Sequence, residues 1–430
     1  VNRIDRVVVI NDLAHPLGGA SALAVQSALG FAHRGLSVSY LSGDTPPAQG
    51  LGHAGVAMIG LGQDRLLSRG RIAAMATGWW NRAAHRMVRA WIAAHDTPAT
   101  VYHLHGWSQI LSPAVLAAFA PVHDRLVISA HDFFLVCPNG AFADLNSGAP
   151  CARVPLGPAC CLAGCDRRGR VHKVWRLGRG TIQRLVMPPR NSPTVLAIHA
   201  AMRPLLQRGG IPAAAIQIVP NPVVPWSTTR ITAEQNREVL FVGRIEATKG
   251  ADLALAAARA AGVPIRVVGD GALIERLRDA YPEAHFTGRL DHAAIAALAR
   301  QARLLVMPSR YPEPFGLVAI EALRSGLPVI LPPGALLADD ISRIGAGILM
   351  EPRDTAAFAD VLRRLGDDDA TIAAMSRAGF THGGTLALDP ESWLDRLIDV
   401  YRERLVQEPI RRACPSISAS AAGTGSLPLR

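Results

Sequence analysis

The chain predicts two α/β domains, each a doubly wound parallel sheet, with a cleft between them. Three observations carry that expectation. Short β-branched runs alternate with amphipathic helical stretches, the alternation restarts after a Pro-rich stretch, and 430 residues exceed what one hydrophobic core organises. Apolar residues make up 49% of the chain and charged residues 18%, so most of it buries enough surface to fold.

In the first half, residues 7–10, 38–41, 101–104, 126–129 and 195–198 read as strands, with helices such as 20–33 and 82–93 between them. After Val219-Pro220-Asn221-Pro222 the pattern resumes with strands at 239–242, 265–268, 304–307 and 328–331. The division is therefore 1–220, with a Cys-rich insert at 137–165, and 221–390. A terminal helix follows at 391–406, packing back on the first domain, and then a Ser-, Ala- and Gly-rich tail at 407–430 that reads as disordered. Ligands of open α/β sheets bind beyond the carboxyl ends of the strands, which places the site in the cleft.

No apolar run approaches the ~18 residues of a membrane span. The opening run Arg6-Val7-Val8-Val9-Ile10 is short for a signal-peptide core and reads as a strand, so a cytoplasmic location is expected. Charge is uneven. Residues 1–225 hold 21 Lys+Arg against 9 Asp+Glu, and the remainder 24 against 25, so the net +11 resides in the first domain. That domain is expected to face something anionic: nucleic acid, a bilayer or a phosphorylated substrate. Lysine occurs only at Lys173 and Lys249, against 43 arginines, which hints that these two are chemically chosen.

Five of the six cysteines lie within 29 residues. Cys137, Cys151, Cys160 and Cys165 are spaced C-x13-C-x8-C-x4-C, too loosely for a standard zinc finger. They read either as a structural metal loop or as reduced thiols in a long loop.

Chemistry concentrates at Pro308-Ser309-Arg310-Tyr311-Pro312-Glu313-Pro314-Phe315-Gly316-Leu317, where a strand ends and an apolar helix begins. The first helical N–H groups have no intrahelical partner and form an anion site. Glu321 lies about one turn inside that helix, and an ionised carboxylate there is costly unless donors such as a ribose diol meet it. An isolated Glu would read as solvent-facing; Glu313 and the strand-to-helix turn favour function. The stretch Gly243-Arg244-Ile245-Glu246-Ala247-Thr248-Lys249-Gly250 follows the second domain's first strand. Gly243 permits close approach of the backbone, and Arg244 with Lys249 can bracket a diphosphate.

Gly-Arg-x4-Lys-Gly, Val-Gly-Asp-Gly at 268–271, and Pro-Ser-x4-Glu-Pro-Phe-Gly with Glu-x7-Glu together resemble group 1 retaining glycosyltransferases of the GT-B fold. Gly18-Gly19, His131-Asp132 and Val219-Pro220-Asn221-Pro222 extend the likeness over nearly the whole chain. The resemblance implies sugar transfer from a nucleotide-diphosphate donor, a UDP- or GDP-sugar, to a glycan or lipid-linked acceptor in polysaccharide or glycolipid synthesis. It implies retention of configuration and no requirement for a metal. Arg244 and Lys249 would grip the diphosphate, with Gly243, Gly269 and Gly271 beside the donor. Glu313 would bond the transferred sugar, the amides of Phe315, Gly316 and Leu317 would border sugar and phosphate, and Glu321 would bind the ribose. Gly18 and Gly19 would cover the reaction centre. His131 would lie beside the sugar among the catalytic residues and need not act as a general base; a packed strand-end histidine is the other reading. Two departures affect the site: Pro332-Pro333-Gly334-Ala335 replaces a double-Gly turn, and His199 stands where Ser is usual. Asp367-Asp368-Asp369 looks like a metal motif but reads as a solvated interhelical turn.

Between Arg65 and Ala94, arginines alternate at helical spacing with Trp79-Trp80 and Trp91. This suits an interfacial helix on an anionic leaflet, hence peripheral attachment to a membrane, or an ordinary helix with a charged outer face. Two other functions compete. A nucleic-acid-binding protein would suit the basic charge, but no recognition motif is visible, so no nucleic-acid partner is expected. An inactive nucleotide-sugar sensor is the other, and the intact Glu-x7-Glu and Arg/Lys pair argue against it.

Overall fold

A computed structural model describes residues 3–46 and 50–406. The first sheet contains β1 (Arg6–Asn11), β2 (Ser37–Ser42), β3 (Ala57–Gly60), β4 (Thr100–Leu104), β5 (Leu126–Ala130), β6 (Thr194–Ala197) and β7 (Ile216–Ile218). Its order is β3-β2-β1-β4-β5-β6-β7 and every pairing is parallel. The second holds β8 (Glu238–Val242), β9 (Ile265–Val268), β10 (His285–Gly288), β11 (Ala302–Val306), β12 (Val329–Leu331) and β13 (Gly347–Leu349), in the order β10-β9-β8-β11-β12-β13. This is the doubly wound α/β architecture, built twice.

Sequence reading finds every interior strand and misses β3, β7, β10 and β13. These are the four edges. An edge strand is covered on fewer sides, so it needs neither length nor a continuous apolar run: β10 and β13 contain no fully buried residue, whereas β4, β5 and β11 are buried throughout.

The last helix, Pro390–Val406, lies on the first domain. Its Trp393, Leu394, Leu397, Val400 and Tyr401 are buried with Phe31 and Val101, and the Tyr401 hydroxyl meets His103 Nδ1 at 2.6 Å beneath β4. Arg34 anchors the start of the helix through Glu391 and Asp395. The tail at 407–430, with Cys414, lies outside the described residues.

The basic stretch after Arg65 is not one helix. It divides into Arg71–Trp79 and Arg82–His95, because Asn81 turns inward to cap the second helix and donates to the Ile110 carbonyl at 2.8 Å. Trp91 is buried, so the aromatic residues do not share one outer face.

Candidate active site

In each sheet the strand order reverses beside the first strand, between β1 and β4 and between β8 and β11. The loops that leave these four strands therefore diverge and open a crevice. In the second domain the loops after β8 and β11 are laced together. Arg310 N–H donates to Thr248 O at 2.8 Å, and the Arg310 guanidinium clasps Asp252 at 2.6 and 2.7 Å. Gly250, at φ 73°, leaves room for Pro308: a Cβ there would lie 2.0 Å from the Pro308 carbonyl oxygen.

This lacing brings Lys249 to Glu313. Lys249 Nζ donates to both carboxylate oxygens, at 2.7 and 2.8 Å, while Ser309 Oγ and the Tyr311 hydroxyl donate at 2.9 and 3.1 Å. Burial by itself would raise the Glu313 pKa, but the Lys249 ammonium and these donors hold it below the usual carboxylate range. Conversely, burial opposes the Lys249 charge and the Glu313 carboxylate more than restores it, so Lys249 stays protonated. Burial, together with the neighbouring Glu313 charge, pushes the Tyr311 phenol up to about 12. Arg244 instead stands 62% exposed, bonded to Glu246 at 2.8 Å. Thus the two cations do not act as a matched pair: one is committed to a carboxylate and the other faces solvent.

Beyond Glu313, Gly316 turns left-handed at φ 72° and starts the helix Leu317–Arg324. Glu321 follows with 22% of its side chain exposed, and its carboxylate lies 4.0 Å from His292 Nε2. Burial without a compensating donor pushes its pKa up to about 7. Such a carboxyl group awaits a donor. Gly269 and Gly271 have a structural explanation: a Cβ would lie 1.8 Å from Gly243 O and 2.6 Å from Ile245 O, respectively. Their missing side chains let the loop after β8 lie directly on the loop after β9.

Across the cleft, the first domain contributes a pocket of Asn11, Asp12, His105, Trp107, His131 and Asp132. Asp12 is enclosed and accepts from the backbone N–H groups of Gln109, Ile110 and Leu111, each at 2.8 Å. His105 Nδ1 and His131 Nε2 share a hydrogen bond at 3.0 Å, and their remaining nitrogens, His105 Nε2 and His131 Nδ1, are buried without a partner. Burial pulls the His131 pKa down to about 4, so the imidazole is neutral at pH 7. Burial pushes the Asp132 carboxyl up to about 6, with the Phe134 N–H and Arg179 pulling the other way. The two domains meet at the glycine loop: Gly18 begins the helix Gly19–His33, and a Cβ on Gly19 would lie 3.1 Å from Leu317 Cδ1. His199 bridges the domains as well, through Asp340 at 2.9 Å.

Sequence reading missed Asp12, His105 and Arg179. The available signal was His103-x-His105-Gly106-Trp107 at the end of a strand, which puts both histidines on one face.

The cysteine loop departs from the metal-site expectation. Among the described residues no cluster of three or more ligating side chains is gathered for a metal ion. Lys173 enters where an ion would sit, its Nζ 3.2 Å from Cys165 Sγ and 3.7 Å from Cys160 Sγ, and Asn139 bridges Cys137 and Cys165. Cys151 lies partly exposed beside Arg153. The acidic triplet at 367–369 joins two helices: Asp368 caps the helix Asp369–His382, and Asp369 pairs with Arg237 and Arg303.

Residues 229–382 match the family model described as glycosyl transferases group 1. Glycogen synthase of Mycobacterium tuberculosis is 35% identical over 152 residues, which are 33% of this chain and 36% of that protein. The chain therefore aligns with little more than a third of that relative's length. Among solved structures, sucrose-phosphate synthase from Thermosynechococcus elongatus superposes with a TM-score of 0.70 at 19% identity, covering 94% of this chain and 99% of that one. Anabaena Alr3699/HepE in complex with UDP-glucose superposes with a TM-score of 0.62 at 15% identity, covering 93% and 99%. Both likenesses concern the fold, the two-domain GT-B arrangement.

Proposed function

We propose that this chain is a group 1 glycosyltransferase, a reading supported by the match of residues 229–382 to that family's model, and that it transfers a sugar from a UDP- or GDP-sugar to a glycan or lipid-linked acceptor. The observation that carries the proposal is the pairing of two dissimilar carboxylates at one crevice. Glu313 is held ionised by Lys249, and Glu321 stands near neutrality with no donor. A ribose diol supplies the donors Glu321 lacks. The N–H groups of Phe315, Gly316 and Leu317 would meet the phosphate, and a sugar hydroxyl would take the place of Ser309 or Tyr311 among the four donors on Glu313.

The chemistry is a same-face displacement. The bond from the anomeric carbon to the diphosphate breaks, the acceptor oxygen bonds that carbon from the same side, and the acceptor's proton passes to the departing phosphate oxygen. Configuration is retained. Negative charge grows on the diphosphate as it leaves, so Lys249, the helix N-terminus and a swung-in Arg244 stabilise the transition state more than the ground state. These counter-charges supply what a metal otherwise would. His131, being neutral, offers a hydrogen bond to the sugar and takes no proton. The basic first domain suits an acceptor presented at an anionic membrane, with the enzyme attached peripherally from the cytoplasm.

A panel of nucleotide sugars tests the reading. One of them should raise Tm and undergo slow hydrolysis, and Glu321→Ala should shrink the Tm shift at a fixed donor concentration. Stabilisation by oligonucleotides but by no nucleotide sugar would overturn the proposal. Tight binding with no turnover toward any acceptor would favour a sensor.

A further inference from the structure

We infer that the helices Arg71–Trp79 and Arg170–Val186 together form a platform that docks on an anionic phospholipid bilayer. The inference extends the lipid-linked reading, but its test measures attachment rather than transfer, so either can fail without the other.

Helix Arg170–Val186 is inside out. Its buried side chains are Lys173, Arg179 and Gln183, while Val171 is 80% exposed and Val174 is 65% exposed. A helix on a water-soluble surface shows the reverse arrangement, and an exposed apolar stripe over a polar inner face requires something to cover it. The inner face has a reason: Arg179 donates to Trp107 O, Gln183 donates to the Phe134 and Leu135 carbonyls, and these loops wall the first-domain pocket. The outer face has no such reason within the fold.

The partner helix widens the stripe. Trp79 Nε1 donates to Trp175 O at 3.0 Å and Trp175 Nε1 to Met75 O at 3.1 Å, so the indoles interlock. Gly78 and Gly178 allow this: a Cβ on Gly78 would lie 2.4 Å from Trp175, and one on Gly178 would lie 3.1 Å from Trp79. The pairing leaves Ile72 86% exposed beside Met75.

Charge identifies the covering. Arg167, Arg168 and Arg170 are exposed at the N-terminal end of the second helix, where cations oppose the helix dipole and so do not serve its stability. Arg71 stands exposed at the start of the first. The sequence has no carboxylate between Asp64 and Asp96, and between Asp144 and Glu234 only Asp166, which is buried against His172 and Arg176. Apolar side chains rimmed by arginine and free of acid complement acyl chains beneath anionic headgroups. The polar face of the same helix holds Trp107 and Phe134, which line the first-domain pocket, so the platform adjoins the loops of that pocket.

Sedimentation of the full chain with phosphatidylglycerol–phosphatidylcholine vesicles tests this. Binding should require phosphatidylglycerol, weaken with salt and blue-shift tryptophan emission. The exposed-site variant Ile72→Ser/Val171→Ser/Val174→Ser should lower the partition coefficient at least about tenfold, with circular dichroism and donor-induced Tm shift unchanged. Arg168→Gln/Arg170→Gln should remove most of the salt dependence. No binding at low salt would overturn the inference, as would binding that survives the serine substitutions. Concentration-dependent self-association abolished by those substitutions, without vesicle binding, would assign the surface to a second copy and overturn it too.

Discussion

Lys249 and Glu313, 64 positions apart, form a bidentate ion pair at 2.7 and 2.8 Å at the base of the cleft. The pair joins the loop after β8 to the loop after β11. It therefore couples the stability of the second domain to the geometry of the site.

Removing one partner should cost more than removing both. Lys249→Ala leaves a buried, uncompensated carboxylate and should destabilise the protein by about 3–5 kcal/mol. Lys249→Met/Glu313→Leu, roughly matched in volume, should recover much of that loss while turnover stays abolished. Urea denaturation combined with steady-state kinetics separates the two effects. Additive destabilisation would show that the pair is not coupled.

Arg244 should behave differently, because it is exposed and, among the described residues, paired with Glu246. Arg244→Ala should leave stability within about 0.5 kcal/mol while lowering kcat more than it raises KM for the donor, as expected for charge met only in the transition state. A rise in KM at constant kcat would mean that Arg244 binds ground state and transition state alike.

Glu321 carries a pH signature. Its folded pKa is raised to about 7 from a model-peptide value of 4.5, so its contribution to stability is fully present below about 4.5 and is lost as pH rises through 7. The loss is at most about 3–4 kcal/mol. Chemical denaturation between pH 4 and 8 should show this decline in the wild type and a flatter profile in Glu321→Gln. A ribose diol donates to the ionised carboxylate, so donor affinity should rise across pH 6–8, and Glu321→Ala should weaken it by about 1.5–3 kcal/mol. Unchanged donor affinity in Glu321→Ala would remove the ribose from this position.

Chelation should leave transfer intact. With Lys249, Arg244 and a helix N-terminus available to the diphosphate, EDTA should change kcat by less than about twofold. Loss of activity restored by Mg²⁺ or Mn²⁺, with circular dichroism unchanged, would require a metal-bridged diphosphate.

Much of the candidate site was legible in the sequence because it is written in short segments that each sit at a strand end. Gly243–Gly250 and Pro308–Leu317 announce a loop, a helix start and their charges within ten residues apiece. What those charges do was not legible. Arg244 and Lys249 look alike in the motif, and only the lacing of the two loops commits Lys249 to Glu313 and leaves Arg244 exposed beside Glu246. Gly269 and Gly271 resemble ligand-facing glycines but are required by the loop after β8, which runs over them. His105 meets His131 because β4 and β5 are neighbours in parallel register, a relationship across 26 residues that no local pattern encodes.

The sequence by itself determined the repeated doubly wound topology, the interior strands and the likeness of residues 229–382 to glycosyl transferases group 1, since these follow from period, punctuation and contiguous motifs. Tertiary structure decided which charges pair, where Asp12 and His105 enter, and which side of each helix is covered. The helix Arg170–Val186 shows why. Hydrophobic periodicity reveals that a helix has an apolar face and a polar face, and the usual inference turns the apolar one inward. Here the polar face is inside, because Trp107, Phe134 and Leu135 present backbone carbonyls that Arg179 and Gln183 must satisfy. Buried hydrogen-bonding groups outrank apolar burial at such a position, and their partners come from loops more than 40 residues away.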